Sequence, residues 1–269
     1  MTRWLALLPA LCLGSVTLAA QGLRAGGLSE FNVELPHELR QLAGRGQLSP
    51  VTHALVTVAV PANFGAARNW PVMIINATSD PQYNSSRRLL TAYADIALAD
   101  GWILVAADPA GDVPIEQDEV ALRYALDSAA LAALKLQWPG ASKAPLAFGG
   151  FSGGAKYSGW LAAAFASQKR TILGIYLAGI NQDTIVSAAR EFKVLDEAYK
   201  RVPVFLQSGE SDEIATPADH RRVQSDLERA GFRHVRVEYF PGPHAVDTRL
   251  LHTALYWFRE LAAKSTEVK

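Results

Sequence analysis

The chain has 269 residues, with 26 basic and 26 acidic side chains and a formal net charge of zero. That balance argues against broad electrostatic binding to nucleic acid or to an anionic membrane, since both need a positive face. With 49% apolar and 19% charged residues, the composition is that of a packed globular protein, and the length fits one large α/β domain or two small ones.

Residues 1–20 differ from the rest. Arg3 gives a positive start, Trp4 to Leu18 is almost wholly apolar, and Thr17, Ala19 and Ala20 are small residues suited to a signal-peptidase site. The segment reads as a secretory signal peptide, so the mature protein is expected to be secreted or periplasmic, with no membrane attachment after cleavage. As an anchor the run is short, because a bilayer span takes roughly 20 apolar residues. The one cysteine, Cys12, lies inside it behind bulky Leu11, which does not suit lipidation. A mature chain without cysteine has no cysteine nucleophile, disulfide or cysteine-type zinc site, and its core must supply the stability.

Residues 21–50 contain Gly26, Gly27, Gly44 and Gly46 and little periodicity, and read as a leader with room for an early strand. From residue 51 to 269 the pattern alternates. His53 to Val60 is β-branched and ends at Pro61, and Pro71 to Asn76 is a short apolar run, so both predict strands. Ser85 to Asp100 predicts an amphipathic helix closed at Gly101, and Trp102 to Ala107 a buried strand. Glu116 to Trp138 predicts a long helix stopped by Pro139 and Gly140. Leu146 to Gly150 predicts a strand and Gly153 to Gln168 an Ala-rich helix. Strands follow at Ile172 to Gly179, Val202 to Ser208 and His234 to Phe240, with helices at Pro217 to Ala230 and His244 to Lys264. Alternating strands and helices imply a doubly wound, mostly parallel sheet with helices on both faces. With no repeat, low-complexity tract or linker, one domain is the simpler reading.

Gly150-Phe151-Ser152-Gly153-Gly154 falls where a strand meets a helix. This Gly-x-Ser-x-Gly turn exposes its serine hydroxyl at the top of a sheet, and glycines flank it where side chains would collide. The stretch Gly149 to Lys156 nearly matches a phosphate-binding loop, but Ala155 stands at the lysine position and Tyr157 follows Lys156 where Ser or Thr is needed. A serine nucleophile needs a base and an orienting carboxylate. After the strand ending at Ser208 comes Gly209-Glu210-Ser211-Asp212-Glu213, and Asp212 is the candidate acid, with Glu210 and Glu213 as alternatives. After the last strand comes Pro241-Gly242-Pro243-His244, which places His244 on a loop as the candidate base. His37 precedes the sheet, His53 and His234 start strands, and His220 and His252 fall within helices.

The order Ser152, Asp212, His244 resembles the α/β-hydrolase-fold serine hydrolases of the esterase, depolymerase and prolyl-oligopeptidase-like group. The resemblance spans roughly Val51 to Ala263. It implies hydrolysis of a carboxylic ester, small or polymeric, by a Ser152–Asp212–His244 triad without metal or organic cofactor. It also implies an oxyanion hole made by the amide of Gly153 and that of Ala77 or Thr78. Where the group often has His-Gly, this chain has Asn76-Ala77-Thr78-Ser79. Because the donor is a backbone amide, that change need not abolish it, and Asn76 is alternatively a buried polar residue fixing the loop. Asn181 to Arg201 has room for only a helix or two, so no large lid is expected. Tyr83, Tyr157 and Trp160 are candidates to line an open site. The competing readings are a prolyl-oligopeptidase-like peptidase, for whose propeller the chain has no room, and a catalytically silent fold used for binding.

Overall fold

Apolar residues at every second position dictate the centre of the molecule. In the strand Val72–Asn76 (β3), Val72 and Ile74 face one core while Met73 and Ile75 face another. The computed structural model describes residues 22–45, 50–78, 80, 83–111 and 120–267. The signal-peptide expectation for residues 1–20 lies outside them, as do the first four residues of the helix predicted from Glu116.

The strands are Leu28–Glu34 (β1), His53–Ala59 (β2), β3, Ile103–Pro109 (β4), Leu146–Phe151 (β5), Ile172–Ala178 (β6), Val204–Gly209 (β7) and Val235–Phe240 (β8). They form one eight-stranded sheet in the order β1-β2-β4-β3-β5-β6-β7-β8. The β1–β2 and β2–β4 pairs are antiparallel and the other five are parallel. β1 runs in full register along β2, from Leu28 opposite Ala59 to Glu34 opposite His53. The early strand for which residues 21–50 leave room is thus an edge strand of the sheet.

The helices are His37–Ala43 (α1), Ser86–Ala99 (α2), Val120–Gln137 (α3), Gly153–Ser167 (α4), Ile185–Glu191 (α5), Pro217–Arg229 (α6) and Thr248–Glu267 (α7). Side chains of α1, α3, α4, α5 and α6 fill the core on one face of the sheet, and those of α2 and α7 fill the other. In α7, Leu251, Ala254, Leu255 and Phe258 are fully buried, the spacing of one helix face. Between β6 and β7 only α5 and the 3-10 turn Tyr199–Arg201 intervene, and among the described residues no large lid covers the sheet. Among the described residues no helix is long and apolar enough to cross a membrane.

Several predicted boundaries move by a residue or more, and two of the shifts have a local cause. β7 starts at Val204 rather than Val202, because the Val202 N–H closes the preceding turn on Tyr199 (3.0 Å) and Pro203 has no N–H to give a ladder. α7 starts at Thr248 rather than His244. Asp247 begins the helix, its carboxylate accepting from the Arg249 N–H (2.9 Å) and its carbonyl from the Leu250 N–H (3.2 Å). His244 is thereby left on the loop.

Candidate active site

The turn after β5 is strained where the motif requires it. Ser152 has φ 55° and ψ −118°, a region sparsely used by side-chain-bearing residues and costing on the order of 1–3 kcal/mol. Its N–H donates to the Ala178 carbonyl at 2.8 Å, which ties the turn to the end of β6. Close approach explains the flanking glycines. A Cβ on Gly154 would lie 1.9 Å from the Asn76 carbonyl oxygen, and one on Gly150 would lie 2.3 Å from the Gly154 carbonyl. α4 begins at Gly153, so its unpaired first-turn N–H groups and dipole end meet the serine.

Asp212 and His244 are brought together by β7 and β8. The Asp212 side chain is almost fully buried, and one oxygen accepts from the N–H groups of Ile214 and Ala215, both at 2.8 Å. Its other oxygen, Oδ2, lies 2.7 Å from Nδ1 of His244. A carboxylate only accepts, so Nδ1 carries the hydrogen and Nε2 remains the basic nitrogen. The His244 ring packs on Phe151, the neighbour of Ser152, with centroids 4.6 Å apart. It also lies over Gly179, where a Cβ would come within 2.7 Å of the ring and where φ is +63°. Ser152 and His244 thus both bear on the Ala178–Gly179 corner of β6. Glu210 and Glu213, the alternative acids, are exposed and make no such bond.

The loop after β3 lies against the start of α4, since a Cβ on Gly153 would strike the Thr78 side chain at 2.5 Å. The two candidate amides in that loop differ. The Ala77 N–H donates to the Ser86 hydroxyl at 3.2 Å, and Ala77 is buried. This directs the Ala77 amide inward, toward α2.

Behind that loop is a buried polar network that the motifs did not reveal. Asn76 is fully buried and donates to Asp127 at 3.3 Å, as expected of a residue that fixes the loop. Arg123, 1% exposed, donates to the Ser86 hydroxyl (3.2 Å) and the Thr78 carbonyl (3.5 Å) and pairs with Asp108 (3.5 Å). Asp108 in turn accepts from the Ser86 and Arg87 N–H groups at the start of α2. Burial pushes the Asp127 carboxyl up to about 7, against the opposing pull of Arg123. The sequence signal was Arg123 and Asp127 at helical spacing inside an otherwise apolar, Ala-rich run.

The remaining candidates divide. Tyr83 is exposed on the loop before α2, whereas Tyr157 is buried beside the Arg123 guanidinium (5.8 Å) and Trp160 packs edge-on against Phe192. His220 is fully buried in α6. Its Nε2 accepts from the Ile180 N–H and its Nδ1 donates to the Thr216 carbonyl, and burial lowers its pKa, so it is a neutral structural residue. Pockets of about 210, 280 and 400 Å³ lie elsewhere, one beside α3 and α4 and two below the starts of β6 and β7. No group of three or more His, Cys, Asp or Glu residues among those described is placed to hold a metal ion.

No protein-family model matches the chain, and no curated protein matches its sequence. Its structure is similar to that of a lidless α/β serine hydrolase from Xanthomonas campestris, with 17% identity and a TM-score of 0.59 over 88% of this chain and 96% of that one. It is also similar to a fungal esterase from Rhizomucor miehei, with 12% identity and a TM-score of 0.62 over 93% and 87%. A third likeness is to dipeptidyl peptidase 4 of Porphyromonas gingivalis, with 12% identity and a TM-score of 0.55, covering 89% of this chain but 36% of that one. The chain has the α/β-hydrolase fold.

Proposed function

We propose that the protein is a serine hydrolase that cleaves a carboxylic ester, small or polymeric, through an acyl-enzyme. The observation that carries this reading is the 2.7 Å bond from buried Asp212 to His244, whose ring packs on the residue before the strained Ser152. The Ser152 hydroxyl attacks the ester carbonyl as His244 Nε2 takes its proton. The amides of Gly153 and Thr78 receive the oxyanion. Collapse expels the alcohol, which His244 protonates. Water, deprotonated by His244, then attacks the acyl group and releases acid and free serine. Asp212 holds the imidazole in the useful tautomer and stabilises its charged form.

A fluorophosphonate probe tests this reading. It should label wild-type protein at Ser152 and leave Ser152→Ala unlabelled. Well-folded wild type that fails to label would instead support a catalytically silent, ligand-binding role. The likeness to a dipeptidyl peptidase favours peptide bonds as a second substrate class. Matched p-nitrophenyl esters and p-nitroanilides separate the two, and faster ester turnover is expected.

The apolar N-terminal run supports export of the mature enzyme. N-terminal sequencing after expression in a secreting host should find cleavage near Ala19 or Ala20, and an intact Met1 would contradict export.

A further inference from the structure

β7 carries a buried amide that neither the Ser152 turn nor the Asp212 loop accounts for. Gln207 is 1% exposed and lies five residues before Asp212, on the face of the sheet that α7 covers. Burying an amide without partners is costly, so its partners carry information. Both of its polar atoms meet the backbone of one residue when the nitrogen faces a carbonyl and the oxygen faces an N–H. In that orientation Nε2 donates to the Asp247 carbonyl at 3.0 Å and Oε1 accepts from the Asp247 N–H at 2.6 Å. The second hydrogen on Nε2 points to the hydroxyl of fully buried Tyr176, on β6.

Asp247 is the third residue after His244 and begins α7. The Gln207 amide therefore clamps the far end of the loop that carries His244. The near end is clamped by the chain just past β7, where the Glu210 N–H donates to the Phe240 carbonyl and the Ser211 N–H to the Gly242 carbonyl, both at 2.9 Å. Gly209 touches the same loop, since a Cβ there would lie 2.3 Å from the Pro243 carbonyl. One strand thus delivers Asp212 and holds the histidine loop at both ends.

We propose that Gln207 is a positioning residue, which sets the His244 imidazole against Asp212 through its paired bonds to the Asp247 backbone, with Tyr176 orienting the amide. The catalytic consequence rests on the serine-hydrolase reading above, but the positioning itself can be measured without turnover. A loosened loop lets the ring sample other orientations, and a misplacement of about 1 Å can cost on the order of 10²-fold in rate.

The test compares wild type with Gln207→Met, which keeps the volume and loses both bonds, and with Tyr176→Phe, which loses only the orienting hydroxyl. Proton NMR follows the Nδ1–H of His244 through its exchange with water, and steady-state assays on a p-nitrophenyl ester give kcat and KM. In Gln207→Met the Nδ1–H should exchange at least tenfold faster, and kcat should fall about tenfold to a hundredfold with KM nearly unchanged. Tyr176→Phe should shift both in the same direction by less. In an Asp212→Asn background, Gln207→Met should add little, because both changes act on the same ring. Unchanged His244 exchange in folded Gln207→Met and Tyr176→Phe would overturn the proposal. So would a full, additive penalty in the Asp212→Asn background. If ester turnover survives Ser152→Ala, the functional reading falls, and the exchange measurement still decides the role of Gln207.

Discussion

Asp212 and His244, 32 positions apart in the chain, meet through a 2.7 Å bond from Nδ1–H to a carboxylate whose other oxygen already accepts two backbone N–H groups. The two N–H bonds fix the carboxylate from within its own loop, and the histidine is set against it.

Asp212→Asn keeps the shape and the backbone bonds but can donate to His244 as well as accept, which allows the wrong imidazole tautomer. The expected result is a kcat lower by roughly 10³–10⁴-fold with KM little changed, the size of loss known for this change in another serine triad. Steady-state kinetics on a p-nitrophenyl ester checks it. A loss below tenfold would move the acid role to another carboxylate.

Gly154 and Gly65 make a matched pair. A Cβ at Gly154 meets the Asn76 carbonyl at 1.9 Å, whereas one at Gly65 has nothing within 4 Å. Overpacking costs about 1–3 kcal/mol or more, and in a chain of this size each kcal/mol lowers Tm by about 2–4 °C. Gly154→Ala should lower both Tm and activity, and Gly65→Ala should leave both unchanged. Equal melting curves would contradict the close approach of the β3 loop to the Ser152 turn.

Thr78 faces Gly153 with its side chain, while its amide is the proposed oxyanion donor. Thr78→Ala keeps the amide and removes the hydroxyl, so kcat should stay close to wild type. A fall of about 10²-fold, the usual size for a lost oxyanion donor, would assign that role to the hydroxyl instead.

Asp127 makes stability depend on pH. Its folded-state pKa is raised to about 7 by burial, with Asp108 adding to the rise and Arg123 and Asn76 opposing it. Between its ordinary value near 4 and about 7 the folded protein holds a proton that the unfolded chain has released. This contribution therefore falls as pH rises through that window, by up to about 1.4 kcal/mol per pH unit, and is flat above it. Asparagine mimics the neutral acid and can still accept from the Asn76 amide. Urea melts at pH 5 and pH 8 should show Asp127→Asn gaining on wild type as pH rises. Parallel behaviour at the two pH values would contradict a protonated Asp127.

The alternating core strands were legible because burial on both faces leaves continuous apolar runs, as at Val72–Asn76 and Leu146–Phe151. Ser152 was legible because its strained turn demands glycines that few other turns need. The edge strand Leu28–Glu34 was less so, since one face is exposed and its partner, β2, is distant in sequence. The start of α7 was misplaced at His244 because helical periodicity does not say which residue caps. The bond from the Ala77 amide to Ser86, nine residues away, has no signature in the sequence. Arg123 and Gln207 look like interruptions of apolar elements until their backbone partners are seen.

Ser152 is the proposed nucleophile on which the other roles depend. The most direct measurement is p-nitrophenyl ester hydrolysis by purified wild type and Ser152→Ala under identical conditions. Wild type should turn over, and the variant should lose essentially all of that activity, with the same circular dichroism spectrum and at most the residual rate that binding and an oxyanion hole provide. Full activity in folded Ser152→Ala would contradict a nucleophilic Ser152.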